Sequence, residues 1–244
     1  MLIVFVSIAV LGVTVFIVEK LRQFDAEQVS ARCIYSAQAG IHQAIYFFRL
    51  RDLAANGSFS LGQTNIDAGN FFTVGGTAAD LLMVNTSTAT TGGSGNRDFL
   101  NLRIQNATNS QTINIDRMVV TWNNTRSLRT IRINGSNVWT GNAVSPANAD
   151  ITNFTLNTTP TIYSIDFLRF SGGMAGATIN IQFVMTDGTS RSLTVLPASQ
   201  NYNFTVKSTG KTAGSNIYRT IQSDYNALTA RIINYNEINT EIIP

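Results

Sequence analysis

The chain opens with an uncharged run, MLIVFVSIAVLGVTVFIV, in which only Ser7 and Thr14 are polar and after which Glu19 is the first charge. A membrane span needs about 20 mainly apolar residues, and residues 1–18 nearly reach that length. A secretory signal would have a basic segment before its apolar core and small residues at a cleavage site. Neither flanks this run. The run therefore predicts a membrane-inserted helix rather than a cleaved signal.

The same helix is predicted to continue well beyond the apolar run. From Glu19 the chain reads EKLRQFDAEQVSARCIYSAQAGIHQAIYFFRLRDLAANGS, with no Pro and only Gly40 before Asn56-Gly57, a plausible helix stop. A helix over residues 2–55 would be about 80 Å long. Apolar residues recur mostly every three or four positions, so this part has one apolar face. That face predicts packing of the helix under a head at Leu21, Phe24, Cys33, Ile41, Ile45 and Phe48.

The layout resembles the type IV pilins and pseudopilins, whose long N-terminal helix sits first in the membrane and later in the filament core, with its second half under a β-rich head. Two stretches carry a sharper resemblance. SAQAGIHQAIYFFRLRD (36–52) is similar to the S-E-A-G-I-x-x-A-L-x-x-L stretch of PilX-type pilins, and YNFTVKSTGKTAGSNIYRTIQSDY (202–225) is similar to their closing hairpin.

The resemblance implies a filament-core interface in the apolar run and methylation of the N-terminal residue, Met1. The predicted interface consists of Met1, Leu2, Ile3, Val4, Phe5, Val6, Ile8, Ala9, Leu11, Gly12, Val15, Phe16 and Val18. One departure from the family stands out, because most pilins carry Glu at the fifth mature position and this chain has Phe5. Some tip pseudopilins and many archaeal pilins also lack that Glu.

The head is predicted to be an antiparallel β-sandwich, which makes the fold class α+β. Period-two alternation is clearest at Ile179, Ile181, Phe183 and Met185, and Asn134-Gly135 and Asp187-Gly188 are typical of hairpin turns. The chain thus divides into the helix (1–55, with 1–18 as membrane or filament core), a glycine-rich connecting region (56–97) and the head (98–244). Within the head, residues 202–236 are predicted to form a closing hairpin near the helix.

Composition disfavours an enzyme or a metal protein. The chain has one cysteine, Cys33, and one histidine, His42, and no local pattern of nucleophile and base or of paired carboxylates. We expect no catalytic, cofactor-binding or metal-binding residues. Cys33 is expected to be a buried small hydrophobe and His42 to lie at an interface, and Trp122 and Trp139 are expected in the core rather than as a sugar-binding platform. Basic residues form no runs, so no nucleic-acid partner is predicted.

The surface is predicted to be neutral, polar and glycosylated. Charged residues make up only 13% of the chain, against about 25% in an average globular domain. Candidate glycosylation sites are the N-x-S/T sequons at Asn56, Asn85, Asn106, Asn123, Asn134, Asn153, Asn157 and Asn203.

These features predict a non-enzymatic structural subunit of a type IV pilus-like extracellular filament. Its expected partners are identical subunits, the cytoplasmic membrane before assembly, the pilus assembly machinery, and surface glycans or a host or substratum. Two alternatives stay open, which are a minor or tip pilin or pseudopilin of a secretion system, and a membrane-anchored surface binding module that never polymerises.

Overall fold

A computed structural model describes residues 2–53, 61–158, 161–197, 203–227 and 229–243, with the backbone alone for residues 2–10, 50–53 and 152. Its first element is a single 52-residue helix, α1 (Leu2–Leu53). The apolar run and the amphipathic stretch therefore form one uninterrupted rod, about 78 Å long at 1.5 Å per residue. The predicted stop at Asn56-Gly57 lies outside the described residues.

In the described part of the chain, α1 is followed by antiparallel strands, one short α-helix and a single 3-10 turn at Ser94–Asn96. These elements are β1 (Gly62–Asn65), β2 (Asn70–Gly75), α2 (Ala78–Leu81), β3 (Leu82–Asn85), β4 (Thr90–Gly92), β5 (Asp98–Asn106), β6 (Ile113–Trp122), β7 (Leu128–Ile133), β8 (Ser136–Ala143), β9 (Ala147–Leu156), β10 (Ile162–Phe170), β11 (Ile179–Met185), β12 (Ser190–Leu196), β13 (Asn203–Thr212), β14 (Tyr218–Asn226) and β15 (Arg231–Ile238). The α+β fold class is confirmed.

The first sheet, here called the helix sheet, packs against α1 and has the strand order β1-β2-β13-β14-β15. Its centre is the predicted closing hairpin, in which β13 and β14 pair from Asn203↔Asn226 to Lys211↔Tyr218. The next strand, β15, pairs with β14 and extends this hairpin to three strands.

The glycine-rich region at 56–97 is more than a connection, because it supplies β2 to the helix sheet. This strand pairs with β13 from Gly75↔Lys207 to Asn70↔Thr212. Phe72 and Val74 are buried. With only two inward-facing residues between glycines, β2 is too short to give a clear alternating pattern.

The other two sheets form a sandwich. One has the order β3-β5-β10-β7-β8, with β4 also paired to β5, and the other has the order β12-β11-β6-β9. Their inner faces meet at edge-to-face ring pairs, Trp122 with Phe170 at 5.1 Å and Phe154 with Tyr163 at 5.5 Å between centroids. The predicted alternation in β11 is confirmed, since Ile179, Ile181, Phe183 and Met185 are all buried.

Both predicted hairpin turns are confirmed. Asn134 and Gly135 have φ angles of 49° and 83° between β7 and β8, which is the two-residue turn with left-handed residues that matches strand twist. Asp187-Gly188 joins β11 to β12, and Asp187 accepts hydrogen bonds from the backbone N–H and the hydroxyl of Thr189.

The sandwich is joined to the helix sheet through α2 and β3. Ala107, just after β5, donates its backbone N–H to Leu81 at the end of α2. Lys207 of β13 forms an ion pair with Asp80 of α2 at 2.7 Å. These contacts place the end of β5, near Asn106, beside the helix sheet.

Candidate assembly interface

The second half of α1 is held on the helix sheet by one apolar face. Cys33, Ala37, Ile41, Ala44, Ile45 and Phe48 are all buried, at spacings of one, three or four residues that keep them on one side of the helix. Four of the predicted helix-head packing residues, Cys33, Ile41, Ile45 and Phe48, lie in this contact.

Glycines allow the helix and the sheet to approach closely. A Cβ on Gly210 of β13 would overlap the carbonyl oxygen of Cys33 and lie 2.6 Å from the backbone nitrogen of Ala37. A Cβ on Gly40 of α1 would overlap the hydroxyl of Ser208 and lie 2.7 Å from the ring of Phe72. The stretches 36–52 and 202–225 therefore touch each other directly in the fold.

An aromatic cluster lies at the end of this contact nearest the C-terminus of α1. The ring of Phe48 lies 4.7 Å from that of Phe204 and 5.8 Å from that of Tyr225, and the latter two rings are 5.4 Å apart. Arg49 donates from Nε to the Tyr225 hydroxyl at 3.1 Å and from a terminal nitrogen to the carbonyl of Ala230 at 2.7 Å. The helix is thus bound to the head through both apolar and polar groups.

The other end of the contact, toward the N-terminus of α1, lies at Ser30. Arg219 of β14 donates from Nε to the Ser30 hydroxyl at 2.9 Å and also pairs with Glu237 of β15 at 3.2 Å. Beyond this point the two predicted packing residues Leu21 and Phe24 are 58% and 57% exposed. The prediction that they pack under the head needs correction, because the helix sheet ends about two turns of helix before Phe24 is reached.

Residues 11–28 of α1 extend beyond the head, and we call them the projecting segment. Every residue in it is exposed. Its large apolar side chains have 42–69% of their surface exposed, and they are Leu11, Val13, Val15, Phe16, Ile17, Val18, Leu21 and Phe24. From Leu11 to Val18 they lie at nearly consecutive positions, so there they surround the helix instead of forming one stripe. From Glu19 onward, charged and polar residues separate Leu21 and Phe24.

The predicted filament-core residues fall into two groups. Leu11, Gly12, Val15, Phe16 and Val18 lie in the projecting segment, and a Cβ on Gly12 would meet nothing within 4 Å. For Leu2, Ile3, Val4, Phe5, Val6, Ile8 and Ala9 the side chains are outside the described part of the structure, as is Met1 altogether. No helix has a stretch both long and apolar enough to cross a membrane among the residues whose side chains are described.

The candidate glycosylation sites differ in exposure. Asn123, Asn134, Asn153 and Asn157 are exposed, Asn85 and Asn203 are half-buried, and Asn56 lies outside the described residues. Asn106 is fully buried. Its side chain donates to the carbonyls of Gln111 at 2.7 Å and Asn157 at 3.4 Å and accepts from the N–H of Thr108 at 3.0 Å. The prediction of a glycan at Asn106 is therefore wrong for the folded chain.

The remaining singled-out residues take different places. Cys33 is fully buried and its sulfur lies 3.4 Å from the carbonyl oxygen of Ile217. His42 is exposed on the side of α1 away from the helix sheet. Trp122 is buried and donates its indole N–H to the carbonyl of Arg126 at 2.7 Å, while Trp139 is half-buried against the sandwich core.

Sequence reasoning missed the cleft beside the projecting segment. This groove of about 740 Å³ runs between α1, from Ala26 to Ile34, and the ends of β14 and β15 near Tyr218 and Ile238. No sequence signal predicts it, because it forms only where the helix leaves the sheet edge.

No family model, curated protein or solved structure matches this chain. The architecture itself is pilin-like, with a long N-terminal helix packed on an antiparallel β head.

Proposed function

We propose that this protein is the structural subunit of a type IV pilus-like extracellular filament, which polymerises through its N-terminal helix. One observation carries the proposal. The first part of the projecting segment, residues 11–18, is uncharged and apolar on all sides, and it belongs to the same continuous helix that the head holds through Cys33 to Phe48.

The exposed apolar surface provides a strong driving force for association. Fully burying one such side chain contributes about 1.5–3 kcal/mol, so the eight large apolar residues of the projecting segment represent on the order of 10 kcal/mol per subunit. A helix that is apolar all round needs neighbours on every side. A bundle of identical helices supplies them without requiring a dedicated pocket.

The same segment fits a membrane before assembly. Residues 1–18 would sit in the cytoplasmic membrane, from which the pilus assembly machinery would extract them. An α-helix satisfies its backbone hydrogen bonds internally, so its transfer from lipid to a helix bundle costs little hydrogen bonding. Small residues such as Gly12 allow close approach of helices in such a bundle.

The head would face outward and provide contact with surfaces. The contact between α1 and the helix sheet positions the sandwich away from the projecting segment, and the exposed sequons at Asn123 and Asn134 offer sites for glycans. The role is structural rather than enzymatic.

The proposal is tested by electron microscopy of material sheared from cells that express the chain. We expect filaments with the natural sequence and none with Val13→Asp, because a carboxylate in a close-packed apolar bundle is desolvated. Gln23→Asp is the matched control, since it adds the same charge at an exposed polar position of the projecting segment and should preserve filaments.

The alternatives give different results in the same experiment. Filaments that persist with Val13→Asp contradict assembly through this segment. A membrane-anchored module would stay in the membrane fraction after shearing, and a minor pilin would be found at low copy number in filaments made mainly of another protein.

A further inference from the structure

The two sheets of the sandwich carry opposite charge. The six-stranded sheet and the turns at its ends hold two aspartates, Asp98 and Asp166, and the arginines Arg97, Arg103, Arg126, Arg129, Arg132 and Arg169. The four-stranded sheet and its hairpin turn hold two arginines, Arg117 and Arg191, against three aspartates, Asp116, Asp150 and Asp187. The overall charge of +3 conceals this asymmetry.

Four of these arginines meet at one end of the six-stranded sheet, which we call the arginine end (Arg97, Arg126, Arg129 and Arg169). Arg97 and Arg169 are brought together because Phe170 donates its backbone N–H to the carbonyl of Arg97 at 2.9 Å. Arg129 lies nearby on the adjacent strand, because Arg169 of β10 pairs in register with Thr130 of β7, the residue that follows Arg129.

Arg126 is held at the same end by the loops. Ser171 donates its N–H to the carbonyl of Ser127 at 2.8 Å, and a Cβ on Gly172 would lie 2.8 Å from Nε of Arg126. In this sheet β10 lies between β5 and β7, so the strands that begin beside Arg97 and Arg129 are roughly 10 Å apart. The arginines are therefore spread over a surface patch.

The arginine end is the part of the sandwich farthest from the helix along β5. This strand runs from Asp98 at the arginine end to Asn106, which pairs with Leu82 beside α2 and the helix sheet. Nine strand residues span roughly 27 Å. The arginine end therefore lies well away from the helix contact.

Among the described residues, only one of the four arginines has an acidic partner. Arg169 forms a two-pronged pair with Asp98, both N···O distances being 2.8 Å. Arg97, Arg126 and Arg129 are exposed, and in the part of the chain that the structure describes none of them has an acidic group within ion-pair distance.

We propose that the arginine end binds an anionic polysaccharide through its carboxylate or sulfate groups. The basic residues of the sandwich are all arginine, since the chain has no lysine between Lys20 and Lys207. The planar guanidinium binds such oxyanions through two parallel hydrogen bonds, which the ammonium group of lysine does not do. This inference goes beyond filament assembly and does not require it.

Phe167, which lies beside Arg169, argues against single-stranded nucleic acid as the ligand. Binding of single strands relies on exposed ring faces on which bases stack. Phe167 is covered instead by the guanidinium of Arg169 at 4.6 Å and that of Arg132 at 5.9 Å from the ring centroid. Its ring therefore positions arginines and does not offer a stacking platform.

The test uses the full chain purified in detergent and applied to heparin, alginate and neutral dextran resins. We expect retention on the two anionic resins and none on dextran, with elution by salt. Arg97→Gln combined with Arg129→Gln should weaken affinity about tenfold, the equivalent of 1.4 kcal/mol. In a plot of the logarithm of the binding constant against the logarithm of the salt concentration, each arginine removed should also make the slope less steep by about one unit.

The matched control is Arg117→Gln combined with Arg231→Gln, which removes the same charge from exposed positions on other faces. Its affinity should stay within about twofold of the natural sequence. Equal weakening by both pairs would mean that only net charge matters, and it would overturn the proposal. Absence of binding, or tighter binding to DNA that depends on the same arginines, would also overturn it. If the natural chain forms no filaments but is still retained on the anionic resins, the proposed function alone is contradicted.

Discussion

Gly210 of β13 lies against the backbone of Cys33 in α1, so closely that the position has no room for a Cβ. The contact joins two stretches separated by more than half of the sequence. It also sets the distance at which the helix rests on the head, since the side chains on either side of it must fit the same spacing.

Replacing Gly210 by alanine should therefore destabilise the helix–head contact. The new methyl group must displace the α1 backbone, and we expect a loss of about 1–3 kcal/mol in the free energy of unfolding. Chemical denaturation of the detergent-solubilised chain would measure it. Gly12→Ala is the control, because a Cβ there meets nothing within 4 Å. A Gly210→Ala protein as stable as the natural one would mean that the helix and the sheet leave room for a methyl group at this contact.

Two phenylalanines of α1 should separate folding from assembly. Phe48 is 1% exposed within the aromatic cluster, whereas Phe24 is 57% exposed in the projecting segment. Phe48→Ala should cost about 3–5 kcal/mol of stability. Phe24→Ala should leave monomer stability within about 0.5 kcal/mol and reduce filament yield. Thermal unfolding of the monomer and counts of filaments would distinguish the two variants. The separation of folding from assembly is contradicted if Phe24→Ala lowers monomer stability as much as Phe48→Ala does.

The thiol of Cys33 should be unreactive in the folded chain. Cys33 lies on α1 and is fully buried against the end of the helix sheet, with its sulfur near Ile217 and Thr212. A maleimide reagent should label it only after denaturation, as mass spectrometry would show. Ser30→Cys in a Cys33→Ala background is the comparison, because position 30 is half-buried at the edge of the contact. Rapid labelling of native Cys33 would mean that the helix separates readily from the head.

Asn106 should contribute to stability rather than carry a glycan. Its buried amide satisfies two carbonyls and one N–H. Asn106→Leu leaves these groups without that partner and should cost about 1–3 kcal/mol. Asn157→Gln, at an exposed sequon, should be nearly neutral. Glycopeptide mapping that found a glycan on Asn106 in folded protein would contradict the structure.

The turn between β1 and β2 should weaken in acid. Hydrogen bonds from the side chain of Asn70 and from the N–H groups of Gly69 and Asn70 lower the pKa of Asp67 below its usual 3.8. A lowered native pKa means that the stabilisation is fully present above pH 3.8 and is lost as the pH falls through the native pKa. An NMR titration of the Asp67 carboxyl would measure this pKa directly, and a value at or above 3.8 would refute the prediction.

The sequence by itself determined the elements that depend on local patterns. The absence of Pro from residues 2–53 and the recurrence of apolar residues sufficed for one long helix, and Asn134-Gly135 sufficed for a hairpin turn because few residue pairs adopt its left-handed angles. Strict alternation made β11 predictable, since its two faces meet different surroundings.

Tertiary structure decided what the local patterns left ambiguous. The apolar face of α1 continues past Ser30 to Phe24 and Leu21, but only the position of the sheet edge determines where the head stops covering it. The sequon at Asn106 is indistinguishable from an exposed one until the fold buries it. The arginines are scattered along the sequence and form no basic run, and they gather because antiparallel pairing brings the start of β5, the start of β7 and the end of β10 to one edge.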